Sequence, residues 1–464
     1  MSALDKAFLN RLAKLAGKKN LITDPGERWT YGYDNSRKHS LPDAVVFPEI
    51  HEQVRDIVLL CNDYEVPIVA RGSGTNTAGG TVPVKHGLII SLERMNRVIA
   101  FDPDNRFIKV QTGITNRAVQ DAVATSGLFW PPDPTSAEIC TVGGNLAMNA
   151  AGPRTLKYGS TRENVLGLRA ITGKGTEINV GVITTKGVVG YDFVRLLIGS
   201  EGTLAIITEA TLKLVPTPQT RNTLRLIYKD IHSASAAVRA IMRQPVTPSV
   251  LEFMDTAAIN IVRDYSDVAI PGDAGALLMI EVEGTPDSIS ESSKAVSAAA
   301  HNDGLIEITR ADNQNAIQQL WAMRKALSPA LRKIAPNKVN EDVVVPITAI
   351  PALIEGLEKL SIDYKIPIVN FGHAGNGNIH VNLLFDSQNP EQASNAAPCL
   401  SAVFDLVLNL GGTLSGEHGI GQEKREFVSR EIDADTLALM WQIKQQFDPK
   451  GLLNPGKVFP PEYR

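Results

Sequence analysis

Three glycine-rich stretches crowd the first half of the chain: RGSGTNTAGG at 71–80, CTVGGNLAMNAAG at 140–152 and GSEGTLAIITEATLKL at 199–214. The first follows a short apolar run, VPIVA, that reads as a buried strand, and the third leads into a strand of its own. Glycine lets backbone N–H groups approach a ligand closely, and Thr and Asn add short hydrogen-bonding side chains. One such loop is an ordinary turn. Three together point to a sheet-built domain whose loops hold a long, flat, polar ligand. The first loop contains Gly72-x-Gly74, but Thr77 stands where a dinucleotide fingerprint has its third glycine, and a strand (GLIISL) follows instead of a long helix. A nicotinamide-type Rossmann site is therefore disfavoured, and no GKS or GKT marks a Walker loop.

Around these loops the pattern mixes strands and helices without strict βαβ alternation, so an α+β domain fits better than a doubly wound sheet. DAVVFP reads as extended, HEQVRDIVLLCNDY as a helix, GLIISL and NRFIKVQTG as strands, and 115–127 as a helix. The segment VPTPQTRN, near 215–222, is the best domain boundary. Beyond it TLRLIY, SASAAVRAIMRQ, LLMIEVEG and SISESSKAVSAAAHNDG repeat a strand–helix rhythm. That rhythm predicts an antiparallel sheet covered on one face by helices. Near the end, ADTLALMWQIKQQF predicts a helix, and DPKGLLNPGKVFP a tail laid along a surface.

The chain has 464 residues, enough for two or three domains. A net charge of −4 offers no field for a polyanion, so nucleic acid is not expected as a partner. Cys61, Cys140 and Cys399 are isolated, which argues against a disulfide framework or a thiolate-held cluster and suits a reducing cytoplasm. No apolar run has the length of a membrane span. The N-terminal stretch, with Leu4, Phe8, Leu12 and Leu15 at helical spacing, reads as an amphipathic surface helix, with peripheral attachment at the inner membrane face as the alternative.

Two of the eight histidines lie seven residues apart in FGHAGNGNIHVN, and a third stands in GGTLSGEHGIG beside a glutamate. The GNGN turn would fold two short strands back and bring His373 and His380 close. Two imidazoles near a carboxylate suit zinc, or manganese or iron with further oxygen ligands. From the residues alone, two buried, hydrogen-bonded histidines remain an open reading.

The ordered set RGSGTNTAGG, CTVGGNLAMNAAG, RLLIGSEGTLAIITEATLKLVP, FGHAGNGNIH, SGEHGIG and DPKGLLNPGKVF resembles the FAD-linked D-2-hydroxy acid dehydrogenases. That family includes D-lactate dehydrogenase, the FAD subunit of glycolate oxidase and D-2-hydroxyglutarate dehydrogenase, within the vanillyl-alcohol-oxidase flavoprotein superfamily. The resemblance implies a PCMH-type FAD-binding domain of two α/β subdomains at 1–217, an antiparallel-sheet cap at 218–415, and a C-terminal segment at 416–464 that completes the active site. It implies that FAD lies on Arg71, Gly72, Ser73, Gly74, Thr75, Asn76, Gly79 and Gly80. Further cofactor contacts would come from Pro134, Thr135, Thr141, Gly143, Gly144, Asn145, Asn149, Gly152, Glu201, Ile206 and Asn454. No histidine lies between His51 and His86, where many superfamily members attach FAD covalently, so a dissociable FAD is expected.

The same resemblance implies His373, His380 and Glu417 as ligands of a divalent metal, zinc first and manganese or iron second, with His418 as the base. The expected reaction is oxidation of a small D-2-hydroxy acid by proton abstraction and hydride transfer to flavin N5. A cation at the hydroxyl oxygen stabilises the developing alkoxide, and a neutral imidazole is suited to take the proton. Arg324 and Ser328, four apart on a predicted helix, can point to one substrate carboxylate, and Lys338 matches a substrate-contacting lysine of the hydroxyglutarate branch. The electron acceptor is then a separate partner: an electron-transferring flavoprotein, an iron–sulfur subunit, a quinone or a cytochrome. A homodimer is allowed for. The competing readings are a superfamily oxidase acting on another alcohol and a silent flavin-binding subunit of an electron-transfer complex.

Overall fold

The computed structural model describes residues 4–265, 269–311 and 313–463. The chain divides into two compact units. The first comprises Met1–Gly152, Gly159–Thr217 and Glu417–Arg464, and the second Pro153–Tyr158 with Pro218–Gly416. The short piece 153–158, placed by the sequence with the first domain, clusters with the second.

The first unit holds a four-stranded sheet in the order Leu21–Ile22, Ala44–Val46, Leu88–Ser91, Ile68–Arg71, in which the last three run parallel. Every residue of Ala44–Val46 and Leu88–Ser91 is buried, as expected of parallel strands covered on both faces. The helix His51–Tyr64 buries Val54, Ile57, Val58 and Cys61 along one stripe against Phe8, Leu12 and Ala16 of the helix Lys6–Ala16. Each large apolar side chain buried this way contributes roughly 1.5–3 kcal/mol. The apolar face of the N-terminal helix is thus spent on the protein's own core.

A five-stranded antiparallel sheet follows, ordered Val98–Asp102, Phe107–Gln111, Ala205–Lys213, Val165–Thr172, Glu177–Gly181. The third glycine-rich stretch feeds its central strand. The C-terminal segment is built into this unit, as the family resemblance implies, rather than only laid along its surface. Ile68 N–H donates to the Leu452 carbonyl at 2.8 Å, and Asn454 N–H donates to the Ile68 carbonyl at 2.7 Å. Leu453 packs into the core with Val54 and Ile57. The reason is the buried Lys444, whose ammonium donates to the carbonyls of Thr203 (2.7 Å) and Leu453 (3.1 Å) and pairs with Asp448.

The second unit is a seven-stranded antiparallel sheet ordered Leu305–Ala311, Thr220–Tyr228, Ala276–Gly284, Val250–Asp255, Ile368–His373, Asn378–Phe385, Asn337–Val344. All six residues of Val250–Asp255 are buried, so both faces of the sheet are covered at its centre, where the sequence suggested one. Met254 joins the core beneath the helices Thr256–Tyr265 and Gln314–Ile334, and Tyr228 reaches the Ala300 carbonyl at the end of Ile289–Ala300. Successive strand residues point to opposite faces, which is how one strand serves two helical layers.

Candidate functional site: three glycine-rich loops and a histidine–carboxylate cluster

In the first unit the glycine-rich loops interlock through their backbones. A side chain on Gly72 would meet Thr141 Oγ1 at 2.1 Å, so the first loop lies directly against the second. Gly74 has φ +69°, and a methyl there would strike the guanidinium of Arg71 at 2.2 Å. Arg71 is buried beneath the loop, donating to the Tyr33 carbonyl (2.7 Å) and Thr81 Oγ1 (3.1 Å). Burial lowers its pKa and nearby Asp34 opposes that shift. The loop therefore contains a fixed positive charge. Ser73 Oγ donates to the Ile139 carbonyl, which joins the loop to the Pro134–Cys140 turn. Asn76 Oδ1 accepts from the N–H groups of Ala78 (2.9 Å) and Gly80 (3.0 Å), while its amide donates to the His418 carbonyl at 3.0 Å.

Thr141 caps the short helix Val142–Met148 by accepting from Gly144 N–H, and Gly143 N–H donates to the Thr112 carbonyl. Asn149 ends that helix with φ +49° and spends its Oδ1 on Ser160 Oγ (2.8 Å) and Arg162 N–H (2.9 Å). It is a brace between loops. Gly152 packs against the Asp133 carbonyl, where a Cβ would lie at 2.4 Å. Ile206 departs from expectation: its side chain is 1% exposed and packed in the core that holds Ile57, Ile90 and Leu453, so only its backbone can face a ligand.

Glu201 has φ +54° and a fully buried carboxylate that accepts from Ile420 N–H (2.7 Å) and Gly421 N–H (2.8 Å). Burial pushes its pKa up to about 7, with those N–H groups, Lys457 and Lys424 pulling the other way. Asn454 donates to the carbonyls of Gly80 (2.9 Å) and Glu201 (2.7 Å), and its Oδ1 is buried with no hydrogen-bond partner among the described residues. An orphan acceptor in a cradle of bare glycine backbone fits a bound polar ligand carrying donors of its own. Pro134 and Thr135 lie at the turn beside this cradle, Thr135 exposed.

In the second unit the strands Ile368–His373 and Asn378–Phe385 form a hairpin closed by Ala374–Gly377. It sets the rings of His373 and His380 with centroids 5.2 Å apart at 81°. Asp342, buried on the neighbouring strand, accepts from Ser415 Oγ (3.0 Å) and Gly416 N–H (2.9 Å). Glu417 follows Gly416 directly. One donor atom each from His373, His380 and Glu417 lies within 4.8 Å of the others, a set that could hold a divalent cation. His418 Nε2 is 4.0 Å from the Glu417 carboxylate.

Two residues that the sequence did not single out complete this surrounding: Asp342, and Glu252. The Glu252 carboxylate is 1% exposed, accepts from His373 Nδ1 and pairs with Arg324 Nε at 2.7 Å. Burial would raise its pKa, but His373 and Arg324 outweigh that and hold it down to about 2. Arg324 also lies over the Phe371 ring at 4.6 Å, and Phe371 in turn touches His380, centroids 5.8 Å apart. Ser328 is one turn along the Arg324 helix and accepts from Lys338 Nζ at 3.2 Å.

The fold is shared with p-cresol methylhydroxylase, with a TM-score of 0.80 at 18% identity over 98% of this chain and 97% of that one. Residues 42–181 match the FAD binding domain family, and residues 217–458 match the family described as FAD linked oxidases, C-terminal domain. The glycolate oxidase subunit GlcD of Bacillus subtilis (strain 168) is 35% identical over 99% of this chain and 98% of its own length. The D-lactate dehydrogenase of Anaerostipes hadrus is 32% identical, covering 97% of both chains. The D-2-hydroxyglutarate dehydrogenase of Xanthomonas citri pv. viticola is 34% identical over 95% of this chain and 94% of its own. The protein is thus an FAD-binding oxidoreductase of PCMH-type fold, and it belongs to the FAD-linked oxidase family. No helix among the described residues is long and apolar enough to cross a membrane.

Proposed function

We propose that the protein oxidises a small D-2-hydroxy acid to the 2-oxo acid, with D-lactate or glycolate as first candidates and D-2-hydroxyglutarate as the alternative. The observation that carries this reading is the approach of His373, His380 and Glu417 to within 4.8 Å of one another, in surroundings that also contain Arg324. Relatives named for glycolate, D-lactate and D-2-hydroxyglutarate support the substrate class. When bound, dissociable FAD supplies the hydride acceptor, and a divalent ion, zinc or else manganese or iron, supplies the charge that stabilises the developing alkoxide.

The chain's own residues do the rest. Arg71, Gly72, Gly74, Asn76, Gly80, Thr141, Gly143, Gly144, Asn145 and Asn454 hold the cofactor. His373, His380 and Glu417 hold the ion. Arg324, with its remaining guanidinium nitrogens, takes the substrate carboxylate, a planar fork suited to a planar anion. Ser328 and Lys338 extend that anion site. His418 accepts the hydroxyl proton at an imidazole nitrogen, a task to which a neutral imidazole is suited. A separate acceptor then removes the electrons. The test is a panel of D- and L-hydroxy acids with an artificial dye acceptor. Turnover of D-lactate or glycolate that disappears in His418→Ala, with FAD still bound, supports the reading. A panel with no turnover, or full activity in that variant, contradicts it.

A further inference from the structure

Glu252 sits at the centre of the second unit's sheet, on the strand Val250–Asp255, with no charged neighbour in sequence until Asp255. Its two carboxylate oxygens serve different partners: one faces His373 Nδ1, the other Arg324 Nε. Paired with the Arg324 guanidinium, the carboxylate is ionised and can only accept. The proton it shares with the imidazole therefore resides on Nδ1, and the lone pair of His373 is left on Nε2. The same carboxylate fixes the plane of the guanidinium, which Phe371 supports from its ring face at 4.6 Å. Burial removes water as a competitor for either partner.

We propose that Glu252 is a positioning residue that sets the ion-facing nitrogen of His373 and the aim of Arg324 together, so that ion and substrate carboxylate are held in one mutual geometry. The proposal rests on the metal-assisted reading above. Buried carboxylates behind a ligating histidine fix its tautomer and ring orientation, and a single one shared with the substrate's arginine makes the two sites one rigid piece. Neither Gln nor Asp can reproduce it. Gln has one acceptor and places an N–H against a donor, and Asp is too short by one methylene to span both partners.

The test uses FAD-loaded protein stripped of metal and titrated with zinc against a chromophoric chelator, with FAD content and thermal midpoint measured alongside. Glu252→Gln is expected to keep its FAD, to lose about 10–100-fold in zinc affinity, and to raise KM for the hydroxy acid. Glu252→Asp should shift both quantities in the same direction by less. Should Glu252→Gln fail to fold because Arg324 is left without a counter-charge, the double variant Glu252→Gln/Arg324→Gln removes both charges and is held to the same zinc criterion. Zinc affinity and KM within threefold of the parent would overturn the positioning role and leave the metal-assisted reading standing. A parent protein that binds zinc no better than His373→Ala would end the metal reading, and the role of Glu252 with it.

Discussion

Asn454 and Gly80 are separated by 374 positions, yet the Asn454 amide donates to the Gly80 carbonyl at 2.9 Å and to the Glu201 carbonyl at 2.7 Å. One side chain from the end of the chain thereby joins the first and third glycine-rich loops. Asn454→Ala leaves two buried carbonyls without a donor, at about 1–3 kcal/mol each. The expected outcome is FAD binding weakened at least tenfold, read by titrating the apoprotein with FAD. Unchanged affinity would mean the loops hold their shape without it.

Lys444 and Asp448 anchor the same segment from the other side. Lys444→Met removes a buried cation and strands the Asp448 carboxylate, a loss of about 3–5 kcal/mol. Urea unfolding followed by tryptophan fluorescence should show that drop. Lys444→Met combined with Asp448→Asn should recover part of it, because no buried charge is then left alone.

Glu201 ties stability to pH. Its folded pKa, raised to about 7 by burial, lies above the value of an exposed glutamate. The unfolded chain therefore releases this proton first, and the contribution of Glu201 is full below about pH 4.3 and is lost as pH rises through 7. The size is on the order of 3 kcal/mol. In Glu201→Gln the fall in stability across that window should flatten, as measured by denaturant midpoints from pH 5 to pH 8. An identical slope in parent and variant would show that other groups set it.

Gly377 closes the hairpin that presents both histidines. With φ +73° and the Val345 carbonyl 1.9 Å from where a Cβ would sit, Gly377→Ala must displace the turn. A cost of roughly 1–3 kcal/mol is expected from the backbone strain, together with reduced zinc uptake by the purified protein. Intact zinc stoichiometry would show that the turn tolerates the shift.

Much of this was readable from residues whose local chemistry is distinctive. The helix His51–Tyr64 announces itself by the spacing of Val54, Ile57, Val58 and Cys61, and Gly72, Gly74 and Gly377 stand where backbone alone fits. Glu252 was not readable. In VLEFMD it is a lone charged residue in an otherwise apolar run, which names no partner for it, and only the pairing of that strand with Ile368–His373 brings it against His373. Asp342 was hidden for the same reason. The return of the C-terminal segment to the first domain is legible in the resemblance, but its anchor is not: Lys444 looks like any polar position on an amphipathic helix until the carbonyls of Thr203 and Leu453 are placed around it. At Ile206 the loop motif points to a cofactor contact while the strand turns the side chain into the core, which leaves only the backbone for that contact.

The proposed oxidation requires the histidine–carboxylate cluster to hold an ion beside the hydroxy acid. The most direct measurement mixes FAD-loaded protein anaerobically with D-lactate and follows bleaching of the flavin, before and after exhaustive chelation. Chelated protein is expected to keep its FAD but not to bleach, and stoichiometric zinc or manganese to restore the original rate. Bleaching at full rate in protein with less than about a tenth of an equivalent of any divalent metal would contradict it.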